Sequence, residues 1–289
     1  MKRIVKSSLI AGMLLLGSTS SLSALEWGMI TGAHDFIVPN IVNDSTNDGI
    51  SAGDSHTVGL NLGMYLNHTN DYDINFLAKA EVFLDHDKDE LDPDHVPVWF
   101  KFLLGANGPI ITFNDNHSFK WYVIMDNKQN TVSCIEREIR QNYGAGYDFQ
   151  AGGFTLDLNM YLGFYYIEID DDTPINRGYT RDQTDDGEAS HMFEVAMSYE
   201  FNKNWYLGAS IKEYSANTGS ERLETDYNAL LSYKSDWWGK GSSLNLNIEY
   251  SNYDLTRFTV DNISTGNRPI LPFTEDVLVQ AYITIPFNE

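Results

Sequence analysis

Charged side chains recur at alternate positions within otherwise apolar stretches of this chain of 289 residues. Because successive side chains of a strand point to opposite faces, such charges share one face while apolar residues take the other. A dry core cannot lie on the charged side, since unpaired buried charge is costly. We therefore predict that these residues line the lumen of a barrel: Asp73, Lys79, Glu81, Asp157, Glu194, Glu200, Lys212 and Glu249.

The acids among these residues outnumber the lysines, even with Lys101 added. An acid-rich lumen favours cations or neutral solutes over anions. The alternative is that the charges pair with one another into a network that closes a narrow barrel. The sequence predicts either a passive, porin-like channel or a structural surface barrel.

A denser acidic cluster consists of Asp85, Asp87, Asp89, Glu90, Asp92 and Asp94. Alternating carboxylates can bind Ca²⁺, but the glycine and the closing glutamate of an EF-hand loop are missing here. We interpret this cluster, and the acids between residues 170 and 188, as solvated external loops. The more specific alternative is that the loops bind divalent cations weakly and that these cations bridge the loops to lipopolysaccharide. No resident metal or cofactor is predicted.

A search for a nucleophile beside a general base gives no convincing pair. His117 and Ser118 are neighbours in sequence, which places them on opposite faces of a strand. The predicted lipid-facing residues hold no Ser and His pair of the kind that outer-membrane phospholipases use. We predict that the protein is not an enzyme, with a membrane-embedded hydrolase as the alternative.

Strands with a period of two must position the charged residues. In residues 154–169, apolar side chains alternate with polar and small ones over the whole segment. Residues 109–140 are the hardest to assign, and residues 131–141 resemble a short helix. The patterns predict an all-β protein of about twelve strands, with ten or fourteen as alternatives, at residues 25–37, 56–67, 72–84, 97–104, 109–125, 138–149, 154–169, 189–201, 205–214, 225–234, 243–253 and 273–287.

The connections between these strands alternate between short and long. Residues 105–108, 150–153 and 202–204 form short connections, whereas residues 85–96 and 170–188 form long ones. Short periplasmic turns and long external loops are typical of antiparallel transmembrane barrels of the outer membrane. A secreted β-sandwich that binds a ligand is the alternative for strands of this pattern.

The amino terminus has the layout of a secretory signal peptide. Basic residues precede an apolar run at residues 9–16, and small residues follow up to Ala24. We predict a signal peptide at residues 1–24 and one barrel at residues 25–289. The net charge of −22 argues against nucleic acid as a partner, and the single cysteine, Cys134, permits no intrachain disulfide.

The last predicted strand alternates apolar and mixed residues and ends near Phe287. It resembles the terminal strand of Gram-negative outer-membrane barrels, in which a polar residue, a hydrophobic residue and a final aromatic are read by the barrel-assembly machinery. Gln280, Ile285 and Phe287 would be that signal, while Tyr282 replaces the usual glycine. The resemblance implies a location in the outer membrane, in contact with its lipid and lipopolysaccharide.

Two further segments suggest a narrower resemblance. WYVIMDNKQNTVSCIEREIR at residues 121–140 and YYIEIDDDTPINRGY at residues 165–179 resemble the solitary autotransporter-like barrels, which have twelve strands and lack a passenger. The resemblance implies a fold and a location, and it implies no catalytic residues.

Overall fold

The computed structural model describes residues 25–42, 53–86, 96–131, 133–170, 174–175, 177–216, 221–258 and 269–287. Within these residues the chain forms one closed antiparallel barrel of twelve strands, each hydrogen-bonded to its neighbours in sequence, with β1 pairing β12. The predicted all-β barrel is confirmed, and the sandwich alternative is wrong because no sheet edge is left open. The predicted signal peptide lies outside the described residues.

The strands differ mainly in length. They are β1 Leu25–Ile41, β2 Gly53–Thr69, β3 Asn75–Asp85, β4 Val98–Asn114, β5 His117–Gln129, β6 Ile135–Ala151, β7 Phe154–Ile169, β8 Asp185–Glu200, β9 Trp205–Ala216, β10 Glu221–Lys234, β11 Ser243–Tyr253 and β12 Glu275–Pro286. Two short 3-10 helices, Arg181–Gln183 and Leu255–Phe258, flank β8 and β12 in the connections. Among the described residues, no helix has the length and apolar character that crossing a bilayer requires.

The outward face of the barrel carries an apolar belt. On β7 the outward positions from Leu156 to Tyr166 are all apolar or aromatic, and Glu168 follows them. Ten residues at about 3.3 Å each, tilted by about 40°, span roughly 25 Å, which matches the apolar band of outer-membrane barrels. Because the barrel is closed, every strand has a hydrogen-bonded neighbour on both sides. Lipid offers no partner for backbone N–H and C=O groups, so a spanning sheet must be closed in this way. The protein is therefore an outer-membrane β-barrel.

The connections identify the two ends of the barrel. One end has the turns before β3, β5, β7, β9 and β11 together with both ends of the described chain, and we call it the periplasmic end. The other end has the longer connections, although the two connections at residues 130–134 and 217–220 are short. Aromatic side chains mark the periplasmic boundary of the belt, among them the exposed pair Trp27 with Phe287 and the exposed Trp205 in contact with the half-buried Tyr233.

Two sequence assignments between residues 97 and 141 are wrong. Residues 105–108 are not a turn but the middle of β4, because the Trp121 ring packs on Gly108 and a bulge accommodates Pro109. The turn lies instead between Asn114 and His117. Residues 131–141 are not a helix, since β6 begins at Ile135 after a tight turn with positive φ at Asn130 and Cys134.

Adjacent positions on β9 test the assignment of the two faces. We expect Ile211→Arg, on the outward face near the middle of the belt, to destabilise the barrel by about 2–4 kcal/mol. Ser210→Arg should cost much less, because Ser210 lines a charged cavity inside the barrel. Urea unfolding in lipid vesicles measures both free energies. Equal losses would show that the faces are assigned incorrectly.

Candidate functional site

The inward face of the barrel changes character along the barrel axis. Toward the periplasmic end it carries polar and charged residues, such as Asp157 and Asn159 on β7. On the same strand it becomes apolar toward the outer end, where Ile167 and Ile169 are fully buried. The lumen therefore consists of a charged lower part and an apolar outer part.

Cationic side chains cross the lumen between these two parts. Lys128 on β5 donates to Ser251 on β11 at 3.2 Å, and these strands are six places apart in the ring of twelve. Lys101 on β4 forms an ion pair with Glu249 on β11. Because the contacts join opposite walls, they occupy the width of the barrel at this level.

Among the residues that the structure describes, Arg140 is the centre of the largest ion-pair cluster. Its guanidinium donates across the lumen to Glu224 at 3.0 Å and Asp226 at 2.6 Å, and to Asp126 at 3.3 Å. The Tyr214 ring lies 5.0 Å from the guanidinium carbon, and Arg140 is only 1% exposed. A buried guanidinium that satisfies several carboxylates fixes β6 relative to β10.

The outer end of the lumen is closed by buried side chains, which we call the outer stopper. It consists of Ile270, Leu271 and Phe273, just before β12, packed on wall residues that include Trp99 and Ile169. Arg177 donates to the Pro269 carbonyl at 3.0 Å, so the connections before β8 and β12 hold one another. From the opposite side of the mouth, Ser133 donates to Asp276 at 3.2 Å. The described residues thus pack side chains across the outer end of the lumen.

Below these contacts lies a cavity of about 340 Å³. Six of the eight residues that the sequence assigns to the lumen line it: Lys79, Glu81, Asp157, Glu194, Lys212 and Glu249. Most of them have ionic partners. Lys79 contacts Glu81 at 2.5 Å, and Lys212 lies 3.9 Å from Glu194.

The other two residues of that set lie elsewhere. Asp73 is exposed in the turn before β3, with φ of 57°, because the Asn70 side chain accepts from the amides of Tyr72 and Ile74 and ends the strand there. Glu200 is exposed at the periplasmic end of β8 and is not part of the cavity lining. Neither side chain belongs to the cavity.

Sequence reasoning missed four charged residues that line the cavity, namely Asp126, Lys128, Arg140 and Asp226. With Lys101 they bring the lining to six acids and five bases. Arg140 lies within the predicted strand at residues 138–149, two residues from Glu138 and from Asn142 on the same face, and this spacing was the signal that could have found it. The lining is close to electrical balance, in contrast to the acidic lumen that the sequence suggests.

The acidic cluster after β3 is only partly described. Residues 87–95 lie outside the described residues, so the expectation of divalent binding there stays a prediction. Asp85 itself turns inward, where its Oδ1 contacts His34 Nε2 at 2.7 Å and accepts from the Trp99 indole at 3.3 Å. Within the described ranges, no group of three or more His, Cys, Asp or Glu side chains is arranged to hold a metal ion.

One Ser and His pair does lie on the outward face, contrary to the sequence expectation. His191 on β8 is directly opposite Ser215 on β9. No hydrogen bond joins the two side chains, and Nδ1 of His191 is buried without a partner. A nucleophile needs a general base within hydrogen-bond reach and a third group that orients the base. The pair lacks this geometry.

The residues of the proposed assembly signal lie on the strand that closes the barrel. Gln280 is fully buried on the inward face and donates to Glu81, while Ile285 faces outward beside Met29. Phe287 follows β12, where its amide donates to the Trp27 carbonyl at 2.8 Å and its ring contacts Trp27. The three residues do not form one cluster, and their role in assembly stays a prediction.

Comparison with known proteins yields similarities of fold alone. No family model and no curated protein matches the chain. Among solved structures, the KdgM porin in complex with disordered oligogalacturonate has a TM-score of 0.44 at 10% identity, covering 90% of this chain and 99% of that one. The CymD monoaromatic hydrocarbon channel has a TM-score of 0.40 at 9% identity, covering 91% of this chain and 89% of that one. The anion-selective porin from Comamonas acidovorans has a TM-score of 0.38 at 8% identity, covering 91% of this chain and 99% of that one. The chain is similar in fold to porins and channels.

Proposed function

We propose that the protein is a narrow passive channel of the outer membrane for small polar solutes, held in an occluded state. The observation that carries the proposal is the cavity of about 340 Å³, because its lining of charged side chains suits water and polar solutes rather than lipid. The cross-lumen ion pairs and the outer stopper set the narrowest points of the path. Solutes pass only when these side chains move apart.

A sealed structural barrel is the second candidate function. The contacts of Lys128 and Arg140 across the lumen and the burial of Leu271 favour it, because these side chains fill part of the lumen in this conformation. The resemblance to solitary autotransporter-like barrels fits either function and is itself part of this proposal. Contacts of the external loops with lipopolysaccharide, and with divalent cations between them, belong to the same proposal.

Planar-bilayer recording of the purified protein separates the two candidates. We expect rare openings of the wild type and a higher open probability for Leu271→Asp, because a charge in the apolar stopper destabilises its packing. Val42→Asp is the matched control, since Val42 is exposed at the same end of the barrel. If neither the wild type nor Leu271→Asp conducts, the lumen is a seal and the structural candidate is correct.

The reversal potential in a salt gradient tests how the lumen selects ions. With six acids and five bases in the lining, we expect a weak cation preference. Glu81→Gln combined with Glu249→Gln leaves four acids against five bases, so the permeability ratio should cross to anion preference. The shift should persist at raised salt, because the lumen is screened less than the exterior. Anion preference of the wild type would contradict this expectation.

A further inference from the structure

We infer that one wall of the cavity is a subsite for a neutral, polyhydroxylated solute such as a monosaccharide. This wall lies on β8, β9 and β10, and we call it the neutral recess. Six residues form it, and all of them line the cavity: Ser198, Tyr206, Gly208, Ser210, Asn228 and Leu230. The inference rests on the proposed channel function and names the class of solute.

Strand pairing brings the residues of the neutral recess together around Gly208. Gly208 lies opposite Ser198 on β8 and opposite Leu230 on β10. Ser210, two residues further on the same face of β9, lies opposite Asn228. Because residues directly opposite each other have their side chains about 5 Å apart, the recess is one contiguous patch.

The absence of a side chain at Gly208 makes room for Tyr206. A Cβ atom at Gly208 would lie 3.0 Å from the Tyr206 hydroxyl oxygen and 3.1 Å from its Cε1 atom, which is closer than ordinary van der Waals contact. Tyr206 therefore lies along the wall, where it lines the cavity. Its ring and Leu230 supply apolar surface, which suits the C–H groups of a sugar ring, and its hydroxyl supplies a polar group.

The hydroxyl groups of the neutral recess are free to bind a solute. Among the residues that the structure describes, none forms a hydrogen bond with the side chain of Ser198, Tyr206 or Ser210, and all three are only half-buried. Asn228 donates through Nδ2 to Asn247 at 3.0 Å, which leaves its Oδ1 to accept. A hydroxyl both donates and accepts, so these groups match the hydroxyls of a sugar, each of which also does both.

The neutral recess carries no charge, and the charges next to it are paired. No charged side chain occupies the inward positions of β9 at residues 206–210 or of β10 at residues 228–232. Lys212 and Asp226 follow on the same faces, and both already have ionic partners. An ion at the recess would therefore lose water without gaining an unpaired counter-charge, whereas a neutral solute needs none. The volume of about 340 Å³ lies within the range of about 300–1,000 Å³ that is usual for small-molecule sites.

Saturation-transfer difference NMR of the full barrel in lauryldimethylamine oxide, a detergent without sugar, tests the inference with D-glucose as the probe. We expect saturable binding of glucose, with D-glucosamine and D-glucuronate, which carry one charge on the same ring, binding no more tightly. Tyr206→Ala should weaken glucose binding by about tenfold or more, because a ring contact and a hydrogen bond are both lost. Tyr199→Ala is the matched control and should leave the affinity unchanged, since Tyr199 is exposed on the outward face of β8.

A second variant protects the test against a folding defect. Ser210→Ala removes one hydroxyl of the neutral recess and should weaken glucose binding by about threefold or more. Each variant is first checked for the heat-dependent gel shift of a folded barrel. If Tyr206→Ala does not fold, Ser210→Ala decides the test.

Three results would overturn the inference. They are absence of glucose binding to the folded wild type, an unchanged affinity of the deciding variant, and tighter binding of either charged sugar than of glucose. Glucose binding by a barrel that never conducts would refute the channel and leave the neutral recess in place. Ion conduction without glucose binding would keep the channel and refute the recess.

Discussion

Arg140→Leu is expected to destabilise the barrel by about 3–5 kcal/mol, because it leaves buried carboxylates without their shared cation. Glu224 is fully buried, and it and Asp226 both accept from Arg140 across the lumen. Urea unfolding in lipid vesicles, followed by tryptophan fluorescence, measures the loss. Arg140→Lys should lose less stability, since lysine keeps the positive charge and lacks only the planar, forked set of N–H donors of the guanidinium.

The matched control for this prediction lies on the same strand. Arg137 is 44% exposed by its side chain and forms an ion pair with Glu168 at 3.2 Å, so Arg137→Leu should cost about 0–1 kcal/mol. Adding Glu224→Gln to Arg140→Leu should recover part of the loss, because it removes one of the stranded charges. Similar losses for Arg137→Leu and Arg140→Leu would show that the cross-lumen cluster does not brace the barrel.

Deleting residues 285–289 is expected to leave the protein secreted but poorly inserted, with a severalfold lower level in the outer membrane. The deletion removes the pairing of Met29 with Ile285 and of Gly28 with Pro286, which close the seam between β1 and β12. Each backbone group left unsatisfied in lipid costs several kcal/mol. Membrane fractionation and the heat-dependent gel shift measure the outcome.

Phe287→Ser separates recognition from closure. It keeps the strand pairs but removes the terminal aromatic and its contact with Trp27, whose ring centre lies 4.8 Å away. We expect slower insertion than for the wild type and a milder defect than for the deletion. Phe201→Ser removes an exposed aromatic at the same end of the barrel and should insert normally. Normal outer-membrane levels of the deletion variant would contradict the role assigned to the last strand.

Most of the alternating strands could be predicted from the sequence because the outward face of each is apolar over the part that crosses the belt. The predicted bounds of β7 and the start of β9 match the structure, and the outward positions from Val58 to Met64 are exposed as the alternation requires. The errors between residues 97 and 141 have a physical cause. Gly108 and Pro109 are tolerated inside β4 by a tryptophan ring and a bulge, which a local reading takes for a turn.

The lumen was harder to predict, since its contacts join residues far apart in sequence. Arg140 and Asp226 are 86 residues apart, and Lys128 and Ser251 are 123 apart. Near the outer end β6 carries charges on both faces, with Arg137 exposed outside and Glu138 buried inside, so the amphipathic signal disappears there. The outer stopper has no periodicity at all, because Ile270 and Leu271 belong to a connection and become buried only when the barrel closes.

The side chains that cross the lumen leave the backbone of the wall untouched. Lys101 and Lys128 reach the opposite strand from within regular pairing, where their own amides and carbonyls belong to the ladder. Shortening them therefore widens the bore without breaking a single strand-to-strand hydrogen bond. Single substitutions can therefore convert the same barrel between a closed form and a water-filled pore during evolution. In design, the pore diameter can be adjusted one residue at a time.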